Sequence, residues 1–160
     1  MNKVKVLFLC TGNSCRSIMA EALLSSNSKG KFKAYSAGSI PVGTIHPLSL
    51  KVLNNNNILT KKLYSKSIND ISHIDMDIII TVCDNAAKET CPILPALNIK
   101  SHWGIEDPAK FIGNLNQIEE VFDRVFKTLE KRVIQLTKIS FTSIDKNKLS
   151  SQIDRIGGII

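Results

Sequence analysis

Residues 3–24 read KVKVLFLCTGNSCRSIMAEALL. The segment from Lys3 to Cys10 alternates and then becomes wholly apolar, which is the pattern of a strand covered on both faces. Beyond a polar loop, Ile18, Met19, Ala22 and Leu23 recur at helical spacing, with Glu21 near the first turn and SSNSKGK ending the run. Strand, loop and helix therefore follow one another directly.

The rest of the chain repeats this alternation. FKAYSAG, Phe32 to Gly38, is a second strand, and HPLSLKVLNNN, from His46, is a short helix with Pro47 at its start. DIIITVC, Asp77 to Cys83, is a third strand that ends in a cysteine, and ALNIKSHW, 96–103, is a further extended stretch. From Asn114 to about Lys138, the residues Leu115, Ile118, Val121, Phe122, Val125, Leu129, Val133 and Leu136 form one long apolar stripe.

Strands alternating with helices predict an α/β fold, a three-layer doubly wound sheet of about four parallel strands with helices on both faces. In such folds the ligand sits beyond the carboxyl ends of the strands. Cys10 and Cys83 both stand at such ends and should project to one edge, with backbones about 5 Å apart if the strands are neighbours.

A chain of 160 residues with 43% hydrophobic content fills one core and is too short for two ordinary domains. The expected boundaries are a main domain over 1–139 and a tail over 140–160, in which Leu149, Ile153 and Ile156 are spaced for a short docked helix. The apolar run at the start is shorter than a signal-peptide core, and no segment reaches bilayer-spanning length, so a cytoplasmic location without membrane contact is expected. The net charge of +7 comes from scattered residues, among them Lys61, Lys62, Lys127, Lys131 and Arg132. They read as a solvated basic surface, and no nucleic-acid partner is expected. A positive field still favours the approach of a small anion.

Four cysteines in such a chain read as reduced and chemically used. Their spacings do not suit a zinc site, and no metal is expected. The loop also lacks the Gly-Lys-Ser/Thr of a nucleotide-binding loop. What it offers is a thiol at a strand end, then the N–H groups of Thr11, Gly12, Asn13, Ser14, Cys15 and Arg16 at a helix start, which can curl into an anion-binding nest. Arg16 can grip two oxygens of a tetrahedral oxyanion. Cys10 is expected to be a thiolate in that field, with the Ser17 hydroxyl donating to its sulfur.

Cys10, five residues, Arg16 and Ser17 resemble the active-site loop of the low-molecular-weight tyrosine phosphatase fold. Taken with YSAG, with TVCDNAAKETCPILP and with HWGIEDPA, the chain resembles the thiol-coupled arsenate reductases built on that fold, over roughly residues 3–136. The resemblance implies reduction of arsenate to arsenite for arsenic detoxification. Cys10 would attack arsenic while Arg16 and the loop amides hold the oxygens, and Asp107 would protonate the departing hydroxyl. Cys83 would then attack the Cys10 sulfur, and Cys91 would attack Cys83. Glu106 and Asp84 compete for the acid's role, and Asp107 is favoured by the Asp-Pro match. Cys15 has only a supporting part.

The resemblance further implies no bound cofactor, an external thiol reductant (thioredoxin, or glutaredoxin with glutathione), and a monomer. Some members of the family bind potassium through an Asn, a Ser and an acid. Asn13 and Ser36 match, but Lys66 and its serine neighbours stand where the acid would be, so potassium is not expected. The spacing from Cys83 to Cys91 is one residue longer than in the best-known thioredoxin-coupled members, and a subgroup carrying VCDNAA shares it. The alternative activity is a low-molecular-weight phosphatase hydrolysing phosphomonoesters, which would need neither Cys83 nor Cys91. A non-catalytic oxyanion sensor is the third reading.

Overall fold

The computed structural model describes residues 2–83, 99–142 and 145–160. Its centre is the strand β1 (Val4–Cys10), flanked by β2 (Phe32–Gly38) and β3 (Ile78–Thr81), with β4 (Ile99–His102) beyond β3. The sheet order is β2-β1-β3-β4 and every pairing is parallel. Val6, Leu7, Phe8 and Leu9 are all buried. Since successive strand side chains face opposite ways, both faces of β1 are covered, and each buried side chain contributes about 1.5–3 kcal/mol.

Among the described residues four helices flank the sheet: α1 (Arg16–Asn27), α2 (Pro47–Asn55), α3 (Leu115–Lys138) and α4 (Lys146–Ile156). Proline stands first in α2, where its missing N–H costs nothing, and His46 Nδ1 accepts from the Leu48 N–H at 3.1 Å. α3 begins with a reciprocal capping box between Asn114 and Gln117. It packs along α1. α4 packs on β4 and buries Ile153 and Ile156. No helix among the described residues is long and apolar enough to cross a membrane.

Three details differ from the sequence pattern. The paired part of β3 stops at Thr81, because β1 leaves the sheet after Cys10; the Val82 N–H still donates to the Leu9 carbonyl at 3.0 Å, and Cys83 lies one step beyond. Leu115 is 62% exposed, since the first turn of α3 projects past the core. Arg132 is not part of the solvated basic surface but is buried, occupying the i+3 place after Leu129 on the inward face of α3.

Candidate active site

The loop from Cys10 to Arg16 is fastened by its carbonyls. Cys10, Thr11, Gly12 and Ser14 accept from the N–H groups of Ser39, Ile40, Val42 and His46 at 2.9–3.2 Å, and Cys15 accepts from Met19. With the carbonyls engaged outward, the loop N–H groups are left for the concave side, the polarity an anion nest requires. Asn13 adopts a left-handed conformation with φ 46°, which Asn tolerates better than most residues. Gly38 completes the enclosure, because a Cβ there would stand 2.4 Å from the Thr11 carbonyl oxygen. α1 begins at Arg16 without a side-chain cap, so its first N–H groups and its dipole face the same loop.

A buried chain of side chains backs the loop. Cys10 Sγ lies 2.8 Å from Ser17 Oγ and accepts from the Asn13 N–H at 3.2 Å. Asn13 Nδ2 donates to Ser17 Oγ and Ser36 Oγ, both at 2.9 Å, and its Oδ1 accepts from the Lys66 N–H at 2.9 Å. Ser36 donates in turn to Glu21, whose carboxylate pairs with Lys66 Nζ at 3.5 Å. The Lys66 ammonium also lies over the Tyr64 ring, 4.3 Å from its centroid. Burial raises the Glu21 carboxyl above its ordinary value, while Lys66 and Ser36 pull it back.

Burial likewise pushes the Cys10 thiol up and the nearby Cys83 adds to this; Ser17, the Asn13 N–H and Arg16 act the other way. Burial and the loop's field thus act on this sulfur in opposite directions. Cys10 as a residue is only 4% exposed, and Arg16 directs its fork elsewhere. Its Nη1 donates to the Ile105 carbonyl at 2.9 Å and its Nη2 pairs with Asp107 Oδ2 at 3.2 Å. Cys15 is buried and its thiol is pushed up to about 11, mainly by desolvation.

Asp107 caps the short 3-10 turn Pro108–Lys110, where its Oδ1 accepts from the Ala109 N–H at 3.0 Å. One carboxylate oxygen thus fixes its own turn and the other meets Arg16. Glu106 instead points to Arg124 on the exposed side, at 2.8 Å. Cys83 Sγ lies 3.6 Å from Thr11 Oγ1, so the ends of β1 and β3 bring the second thiol to the loop. Cys10 and Cys15 form no disulfide with one another. Cys91 and Asp84 lie outside the described residues. Among the described residues, no group of three His, Cys, Asp or Glu side chains is gathered to hold a metal ion.

Sequence reasoning thus named Cys10, Arg16, Ser17, Cys83 and Asp107, and the structure brings these together. It gave Glu21 no role in the site and placed Arg132 on the surface. The signal for Arg132 was present, as one charge inside an otherwise apolar stripe on α3.

Comparison with known proteins points the same way. The model of the family described as low molecular weight phosphotyrosine protein phosphatase matches residues 5–150. An arsenate reductase of Shouchella clausii is 37% identical over 137 residues, covering 83% of this chain and 94% of that protein. The crystal structure of an arsenate reductase from Archaeoglobus fulgidus superposes with a TM-score of 0.68 at 30% identity, covering 84% of this chain and 99% of the other. A thioredoxin-dependent arsenate reductase of Corynebacterium glutamicum gives 0.61 at 29% identity, covering 85% of this chain and 64% of that one.

Proposed function

We propose that this chain, which belongs to the low molecular weight phosphotyrosine protein phosphatase family, works as one of its arsenate reductases, taking arsenate to arsenite with electrons from its own thiols. The observation that carries the reading is the second thiol at the loop, Cys83 beside Thr11. Phosphoester hydrolysis has no use for it, whereas reduction requires it.

The proposed reaction draws on the groups around the loop. Arsenate settles against the loop N–H groups and the start of α1, and the Arg16 fork turns to its oxygens. Cys10 passes its proton to an arsenate oxygen and attacks arsenic, with Ser17 and the Asn13 N–H stabilising the sulfur's charge. Asp107, freed as the Arg16 fork turns to the anion, takes up that proton and hands it to the departing hydroxyl, which leaves as water. Cys83 then attacks the Cys10 sulfur. A Cys10–Cys83 disulfide forms, the S–As bond breaks, and its electron pair leaves on arsenic as arsenite. Cys91 attacks Cys83 in turn, frees Cys10, and leaves a Cys83–Cys91 disulfide for an external dithiol. The thioredoxin dependence of the Corynebacterium glutamicum relative supports thioredoxin as that dithiol, with glutaredoxin and glutathione as the alternative.

The test is arsenate-dependent NADPH oxidation, with thioredoxin and glutaredoxin systems run side by side. Cys10→Ser, Cys83→Ser and Cys91→Ser should each lose multiple turnover. Full turnover by Cys83→Ser would sink the relay. Strong aryl phosphate hydrolysis that ignores Cys83, with no arsenate turnover, would instead establish the phosphatase reading.

A further inference from the structure

The acid loop, residues 103–107, is held by side chains rather than by a ladder of its own. The Trp103 N–H still donates to the Thr81 carbonyl at 2.8 Å, extending the sheet by one bond. Beyond it, Arg132 Nη1 donates to the carbonyls of Trp103 at 3.0 Å and Gly104 at 3.2 Å. Arg16 then takes the Ile105 carbonyl and the Asp107 carboxylate. Arg132 also reaches the other way, its Nε donating to the Ile159 carbonyl at 3.0 Å. One guanidinium thus ties the acid loop to the C-terminal segment.

α4 adds two further ties. The Trp103 indole N–H donates to the Ile153 carbonyl at 2.9 Å, and Ser101 Oγ donates to Asp154 Oδ1 at 2.6 Å. The fit is close at Gly157, where a Cβ would stand 2.6 Å from Trp103 Cδ1 and 2.9 Å from the His102 carbonyl oxygen.

An arginine in this place is a costly way to fill a core. Arg132 is 4% exposed and follows Leu129 on an apolar face where leucine or methionine would pack without desolvating a charge. Its rigid fork does what an apolar side chain cannot, orienting three carbonyls at once. We infer that Arg132 and the docked α4 form a positioning clamp that sets where Asp107 stands relative to Arg16 and Cys10. The inference rests on the reading of Asp107 as the proton donor proposed above. Arg132 itself touches no reacting atom.

A double-mutant cycle on arsenate turnover tests it. General acids contribute about 10²–10⁴-fold, and small misplacements forfeit much of that. Arg132→Gln should lower kcat about tenfold or more in the parent, and less than twofold when Asp107→Asn is already present. Gly157→Val removes no polar group and should give the same pattern. Trp103 is the one tryptophan of the chain, and its emission should shift to the red in that variant as α4 lifts. Equal losses with and without Asp107→Asn would overturn the clamp, because mere destabilisation acts in both backgrounds. So would full turnover in a Gly157→Val protein whose emission has shifted. A parent protein without arsenate turnover would overturn the proposed function instead. Amide hydrogen exchange at Gly104–Asp107 then judges the clamp, with at least tenfold faster exchange in Arg132→Gln supporting it and unchanged exchange overturning it.

Discussion

The proposed oxyanion loop, Cys10 to Arg16, and the proposed acid loop, Trp103 to Asp107, meet at Arg16, yet they are held by different means. The carbonyls of Cys10, Thr11, Gly12 and Ser14 find backbone N–H groups in adjoining segments, and one asparagine links the sulfur's hydroxyl partner to a buried ion pair. From Trp103 to Asp107, order comes from arginine side chains: Arg132, Arg16 and, at the exposed rim, Arg124. In the proposed reaction the first loop binds and attacks, so its backbone donors must be fixed before the anion arrives, and preorganised groups cost no reorganisation during reaction. The second presents a single carboxylate, for which a few strong side-chain ties suffice.

This difference says where each loop is vulnerable. The acid loop should fail from a distance, through Arg132 or Gly157, whereas the oxyanion loop should fail from within. The largest effect is expected at Asn13→Ala. That change removes two donors to buried hydroxyls, leaves the Lys66 N–H without its acceptor, and puts alanine in a left-handed conformation. At about 1–3 kcal/mol for an orphaned group and 1–2 for the conformation, the stability loss should be about 5 kcal/mol by urea unfolding. Asn13→Gly should recover about 1 kcal/mol of it. A loss below 1 kcal/mol would show that the loop is held by its backbone bonds alone.

Lys66→Met is next, at about 3–4 kcal/mol, since it leaves Glu21 buried without its cation. The pH dependence sharpens the point. Burial already holds the Glu21 carboxyl above its ordinary 4.5, so the folded state binds more protons than the unfolded one above that value, and stability falls as pH rises through the window. Losing Lys66 raises the carboxyl further and widens that window. The variant's deficit should therefore be larger at pH 8 than at pH 5, and a deficit independent of pH would count against the pairing.

The smallest effect is at Cys15. Its thiol stands at about 11 in the fold against an ordinary 9.0, so stability is lost as pH rises from 9 to 11, by about 2–3 kcal/mol. Cys15→Ala should flatten that part of the profile while leaving Cys10 alkylation by iodoacetamide unchanged at neutral pH. If alkylation changes with it, Cys15 has a larger part in the loop than packing.

Much of the fold was legible because its signals are local. The apolar run of β1, the Gly38 that closes β2, Pro47 at the start of α2 and the stripe on α3 each report their own surroundings. The extent of β3 was not legible, because a strand ends where its partner leaves the sheet. Arg132 was misread for a related reason. Charge alone says surface, and only the row formed by Leu129, Val133 and Leu136 says otherwise.

The sequence by itself determined the strand-loop-helix unit and the sulfur at the strand's end, since contiguous residues build these with bonds that depend little on distant side chains. Tertiary structure alone decided three things: that Arg16 meets Asp107, that Lys66 neutralises Glu21, and that Arg132 ties the acid loop to the C-terminal segment. The physical reason is that such contacts join residues far apart in the chain, and a charge is held in the interior only where folding delivers a partner to satisfy it.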